Sequence, residues 1–234
     1  IQEATENAPP PLVGKESACA LTSVPCDVVV TDPPYYDAIP YSDLMDFFYV
    51  WERRVLHGID DELNVNLTEA KSPKWDDEAE DGELVEDETR FDGDKAKARQ
   101  AYENGMCRAF ERCNENLRGE GLMALVFANK QPGAWETLVS ALIRAGFVVD
   151  GSWPIETERS ARVRSVNSAA LASSLWLICR KRPETACPGW DNQVLQEMRE
   201  NIIGKLRNFW DSGIRGPNLV WAATGPALEA YSKH

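Results

Sequence analysis

The chain has 234 residues, 43% of them hydrophobic, enough to bury one sizeable core and near the upper size of a single domain. Its net charge of −13 would disfavour a polyanionic partner, but 15 of the 38 acidic and 3 of the 25 basic residues lie between Asp60 and Asp94, and the remainder is close to neutral. No run of about 18 apolar residues occurs and Ile1 to Pro11 lacks the basic-then-apolar form of a signal peptide, which excludes a membrane-spanning helix and makes a soluble, cytoplasmic protein the expectation. Six cysteines without a C-x-x-C pair point to reduced thiols, and no metal site is expected.

Ile1 to Lys15, with Pro9, Pro10 and Pro11, reads as an extended lead-in. Val28, Val29 and Val30 form a β-branched run that stops at Asp32-Pro33-Pro34, as a buried parallel strand does at a rigid loop. Asp32 thereby falls at the carboxyl end of a strand, where open α/β sheets bind ligands. Ser42 can cap a helix bearing Leu44, Phe48, Trp51 and Val55 at helical spacing, ending near His57-Gly58. The acidic segment 60–94 has few apolar residues and is expected as a mobile, solvated insertion, with Trp75 unassigned.

Helical spacing returns from Asp94 to Leu117 through Ala98, Tyr102, Met106, Phe110 and Cys113, and Gly119 to Gly121 should stop it before a strand at Leu122 to Ala128. Pro132 opens a further helix to Gly146, and Phe147 to Trp153 reads as the next strand. Leu171 to Cys179 is a last apolar run, expected as an antiparallel edge strand. A helix near Asn192 to Asp211 precedes Asn218 to Thr224, read as extended before a Gly225-Pro226 turn. The whole is expected as a single α/β domain over 1–234, with 191–234 as a helical extension.

Chemistry concentrates at Asp32-Pro33-Pro34-Tyr35. An exocyclic amine is a poor nucleophile because its lone pair is delocalised into the ring; a carboxylate accepting one N–H and a backbone carbonyl accepting the other draw that pair out of conjugation. Asp32 and the Pro33 carbonyl suit those roles. Two prolines stiffen the loop and remove competing backbone donors, and Tyr35 can stack on an extruded base. The simpler reading is a plain Asp-Pro turn. Tyr36, Tyr41 and Phe47 either line a base pocket or fill the core, and Arg159, Arg162 and Arg164 either contact phosphates or lie solvated. His57 ends a helix, where a positive ring suits the dipole, and has no catalytic role.

Thr31 through Trp51, TDPPYYDAIPYSDLMDFFYVW, resembles the signature of a family of large adenine-specific DNA methylases described as containing a zinc ribbon. The helix at Ala96 to Leu117, the stretches at Gly121 to Phe147 and Ser168 to Arg182, and the closing GPALEAYSKH extend the likeness over most of the chain after Asp27. The resemblance implies a class I methyltransferase (Rossmann-like) sheet, S-adenosyl-L-methionine as methyl donor, DNA as partner, and amino-methylation at Asp32, Pro33, Pro34 and Tyr35. It also implies donor contacts at Ser17, within Lys15-Glu16-Ser17-Ala18, and at Asp32. An Asp at the first motif position leans towards adenine N6; the same motif type serves cytosine N4 and guanine N2, in DNA or RNA.

Two family features are missing: the zinc-ribbon cysteines, and a strand followed by a glycine-rich donor loop ahead of Asp27. The sheet is therefore expected to be incomplete at its N-terminal half, with the donor loop supplied by a preceding segment or a partner chain, and the alternative reading is a base-binding half inactive by itself. A permuted order, with Asn218 to Thr224 as the donor strand and Gly225 as its glycine, lacks a second glycine and a downstream acid, so an ordinary strand-to-helix turn is the simpler reading there.

Overall fold

The computed structural model describes residues 10–14, 16–22, 24–37, 39–59, 67, 74–156, 173–184, 186 and 189–234. In chain order the main elements are β1 (Cys26–Thr31), α1 (Tyr41–Val55), a small hairpin of β2 (Trp75–Asp76) and β3 (Asp81–Gly82), α2 (Lys95–Asn116), β4 (Leu117–Phe127), α3 (Pro132–Arg144), β5 (Phe147–Glu156), β6 (Ser173–Lys181), α4 (Asp191–Asp211), α5 (Pro217–Ala222) and α6 (Thr224–Tyr231). Four strands form one mixed sheet in the order β1-β4-β6-β5, an α/β architecture. β1 and β4 run parallel, with Val29 opposite Met123 and Thr31 opposite Leu125, as a strand–helix–strand unit requires. No helix of the described residues is long and apolar enough to cross a membrane.

Apolar residues at helical spacing on α2 and α3 meet alternate residues of the sheet. Tyr102, Met106, Phe110, Leu138 and Leu142 pack with Met123, Leu125, Phe127, Phe147 and Leu177 in one buried cluster. Each such side chain contributes about 1.5–3 kcal/mol by leaving water, and Val29 of β1, paired with Met123 of β4, packs against this layer. Asp94 caps α2 by accepting from the Lys97 amide at 3.0 Å. At its other end α2 passes directly into β4, without the break expected at Gly119 to Gly121. Those glycines lie inside the strand, and a Cβ on Gly121 would come within 2.9 Å of the Asp27 carbonyl of β1. Gly121 thus marks a close approach of two backbones rather than a stop.

Three further expectations are corrected. β6 is antiparallel to both neighbours but lies between β4 and β5, so the edge strand is β5. Its near-continuous apolar run suits an interior strand covered on both faces. Asn218 to Thr224 is not extended: α5 occupies Pro217–Ala222 and α6 begins at Thr224, which removes the permuted donor strand. Gly225 lies inside α6 where a Cβ would overlap the Ser152 hydroxyl, and Ser152 in turn donates to the buried Glu229 at 2.6 Å. The glycine is there for helix-to-strand packing.

The second half of the acidic segment, expected as a solvated insertion, is folded in the described residues 74–94. Leu84, Val85 and Phe91 are buried, and Trp75 lies edge-on to Phe91 at 5.3 Å between centroids. A few apolar anchors spaced among the charges suffice to dock this stretch against α2.

At the opposite side of the sheet, β1 hydrogen-bonds only to β4 among the described residues, and Val28 and Val30 on one of its faces are 57% and 67% exposed. Leu44, Phe48, Trp51 and Val55, the apolar residues at helical spacing on α1, are exposed as well. Polar groups hold that helix instead.

Candidate active site

The loop after β1 is fixed from three sides. The buried Tyr102 hydroxyl of α2 donates to the Pro34 carbonyl at 2.8 Å and accepts from the Tyr36 amide at 3.2 Å. Burial pushes the Tyr102 phenol well above its ordinary value, so it remains a donor. From the loop between β4 and α3, Asn129 donates to the Tyr35 carbonyl at 3.0 Å and Gln131 to the Asp37 carboxylate at 2.6 Å. Asn129 is itself oriented, its side-chain oxygen accepting from the Gln131 amide and its carbonyl from the Trp135 indole. Finally the Glu86 amide donates to the Tyr36 carbonyl at 3.1 Å. Pro33 and Pro34 have no N–H, and these bonds satisfy the Pro34, Tyr35 and Tyr36 carbonyls and the Tyr36 amide without drawing on the Asp32 carboxylate.

Asp32 is exposed at the strand's end. Its Oδ1 accepts from the Tyr35 hydroxyl at 2.5 Å, while no hydrogen bond reaches its Oδ2 or the Pro33 carbonyl among the described residues. The Tyr35 ring is half-buried and edge-on to Phe127 at 5.3 Å, and Phe127 is edge-on to Trp135 at 4.9 Å. Burial, and then the bond and charge of Asp32, push the Tyr35 phenol far above its ordinary value, so it stays protonated and keeps orienting the carboxylate. Tyr35 was expected to offer a flat face to a base; the geometry gives it the additional task of holding Asp32.

The predicted residues divide. Ser17 caps the short 3-10 turn Ala18–Ala20 by accepting from the Cys19 amide, and with Cys19 and Pro34 it lines an open cleft of about 740 Å³ closed on its other wall by Asp81, Gly82 and Leu84. Sequence positions 17 and 34 are thus brought to one place. Tyr36 is not in that place: it adopts φ 66, is 5% exposed, and lies edge-on to Tyr102, with its phenol pushed up to about 12 by burial first and by Glu86 next. The left-handed turn at Tyr36 rotates its side chain into the core, which withdraws it from base contact. Tyr41 and Phe47 are exposed. Arg159, Arg162 and Arg164 lie outside the described residues. Tyr102, Asn129 and Gln131 were not singled out from sequence; nothing in helical spacing separates a Tyr102 that clamps a loop from one that only fills a core.

Ser42, expected as a cap, lies within the first turn of α1, where the Glu83 carboxylate accepts from both its amide at 2.9 Å and its hydroxyl at 2.5 Å. Arg90 then pairs with Glu83 at 2.6 Å and with Asp43 at 3.2 Å, and Lys74 with Asp46 at 2.6 Å. The acidic segment therefore caps the helix that follows the loop, with a carboxylate at its positive end.

Comparison with protein-family models, curated proteins and solved structures finds no match for this chain. What the fold and site define is a mixed α/β protein whose Asp-Pro-Pro-Tyr loop presents a held carboxylate at the end of a parallel strand.

Burial alone would raise the Glu83 value, but the Ser42 hydrogen bonds and Arg90 outweigh it and hold this carboxyl below the ordinary carboxylate range. A depressed folded value adds stability above the unfolded value of about 4.3 and loses it as pH falls through the folded one. The Ser42 amide should accordingly be protected from hydrogen exchange near neutrality and lose that protection, relative to its intrinsic rate, on acidification. Unchanged protection in Glu83→Ala at neutral pH would contradict this capping role.

Proposed function

We propose that this chain is an S-adenosylmethionine-dependent amino-methyltransferase acting on a flipped nucleic-acid base, with adenine N6 in DNA as the favoured target. The observation that carries the reading is the exposed Asp32 carboxylate, held through Oδ1 by Tyr35 on a loop whose backbone is pinned by Tyr102 and Asn129. Its Oδ2 and the Pro33 carbonyl suit acceptance of the two N–H groups of an exocyclic amine. Both interactions favour the pyramidal nitrogen that carries a localised lone pair, so they strengthen towards the transition state. Positioning of this kind requires that the acceptors not move, which is what the Tyr102 and Asn129 bonds secure.

A cationic donor suits the neighbouring cleft, where Glu16 and Asp81 add carboxylates beside Ser17. S-adenosylmethionine supplies an electrophilic methyl group when bound; Ser17 and the acidic wall are the residues this chain would offer it. Arg159, Arg162 and Arg164 are proposed as phosphate contacts, and together with a near-neutral charge outside the acidic segment they leave room for a nucleic-acid partner.

Asp32→Ala is expected to abolish methyl incorporation into DNA while leaving the circular dichroism unchanged, and Asp32→Asn to reduce it about 100-fold or more. Separate DNA and RNA pools with a radiolabelled donor check this. Retained turnover in Asp32→Ala would remove the carboxylate from the mechanism, and incorporation into RNA alone would overturn the DNA target.

A second reading, that this chain supplies the base-binding half to a donor-binding partner, is favoured by one observation. The outer edge of β1 is unpaired among the described residues, and the valines beside it are exposed. An added parallel strand would bury them. Calorimetry with S-adenosylmethionine on the chain by itself separates the two readings. Micromolar binding is the result expected of a self-sufficient enzyme, and absence of heat is that expected of a half needing its partner.

A further inference from the structure

Away from the Asp32 loop, α2 and the β2–β3 hairpin enclose a groove of about 460 Å³, within the range of small-molecule sites. Its floor is one stripe of α2, where Lys97, Ala101, Asn104 and Arg108 recur at helical spacing. The hairpin is fastened across it at both ends. Arg108 donates to the carbonyls of Ala79 and Glu80, and Lys97 pairs with Asp77 at 3.7 Å. One wall is aromatic, made by Trp75 and Phe91, with the Lys97 ammonium 5.6 Å from the Phe91 ring centre.

One feature indicates that the groove is more than a gap in packing: its polar lining is mixed rather than of one sign. Carboxylates of Asp77 and Glu80 offer acceptors, Lys97 and Arg108 offer donors, and the side-chain amides of Gln100 and Asn104 offer both.

From this lining we infer a second binding site, for a nucleobase carried as a nucleoside. A flat heteroaromatic ring fits an aromatic wall, and a base edge that carries donors and acceptors side by side fits a rim that carries the same. Two carboxylates offset the two cations, so the groove selects a neutral nucleoside over a phosphorylated one. The site stands apart from the methyl-transfer reading, because none of its lining residues belongs to the Asp32 loop. If both hold, it gives the protein a grip on a base other than the one being modified.

The test is a titration of the isotope-labelled full chain with adenosine, cytidine and adenosine monophosphate, followed by NMR. Saturable shifts are expected at the Trp75 indole and the Asn104 side-chain amide, with the monophosphate binding more weakly than adenosine. Trp75→Ala should weaken binding about tenfold or more. Asn104→Leu, at an exposed position that folding does not depend on, should weaken it several-fold. Asp32→Ala should leave it unchanged. Absence of saturable shifts with either nucleoside would overturn the site, as would binding lost in Asp32→Ala but kept in Asn104→Leu. An inactive enzyme that still shows the Trp75 shifts would reject the methyl-transfer reading and leave this one standing.

Discussion

The Tyr102 hydroxyl is the group on which the arrangement of the candidate site rests. One phenol on α2 donates to the Pro34 carbonyl and receives the Tyr36 amide, so the loop is tied to the helix that forms the core with the sheet. Because the ring is buried among Met106, Phe110 and the strands, moving the loop would mean moving the core. Asn129 and Gln131 add a second tie from the end of β4, the strand that pairs with β1. Asp32 is thereby exposed without being free to wander, a combination that an isolated surface aspartate does not have.

Part of this was legible in the sequence. Val28 to Val30 followed by two prolines identified the strand and the loop at its end, and helical spacing located α2 and α3 to within a few residues. Those signals are local: a branched run, a period of 3.6, a proline at a helix start. Position in the sheet is not local, so the run through Leu175 and Leu177 revealed a strand but not that it sits between β4 and β5. The short apolar stretch at Leu219 to Ala222 has too few residues for periodicity to choose between strand and helix, and it folded as helix.

The acidic segment shows why composition can mislead. Averaged over its length it is a solvated run of charge, yet Trp75, Leu84, Val85 and Phe91 dock it against α2 and place Glu83 at the start of α1. Ser42 looked like the helix's own cap, whereas the capping oxygen comes from a residue 41 positions later. A long-range bond of this type leaves no trace in the local pattern. The same applies to Tyr102, whose hydroxyl decides its role while its spacing reports only its burial.

The claim that a pinned loop makes Asp32 an effective acceptor is tested most directly by deleting one oxygen. Tyr102→Phe preserves the ring and its packing while removing both bonds to the loop. Under the proposed function, the methyl-transfer kcat of Tyr102→Phe is expected about tenfold to a hundredfold below wild type, with near-native circular dichroism and a small change in melting temperature. Wild-type turnover in Tyr102→Phe would contradict it, since the loop would then hold its geometry without the clamp.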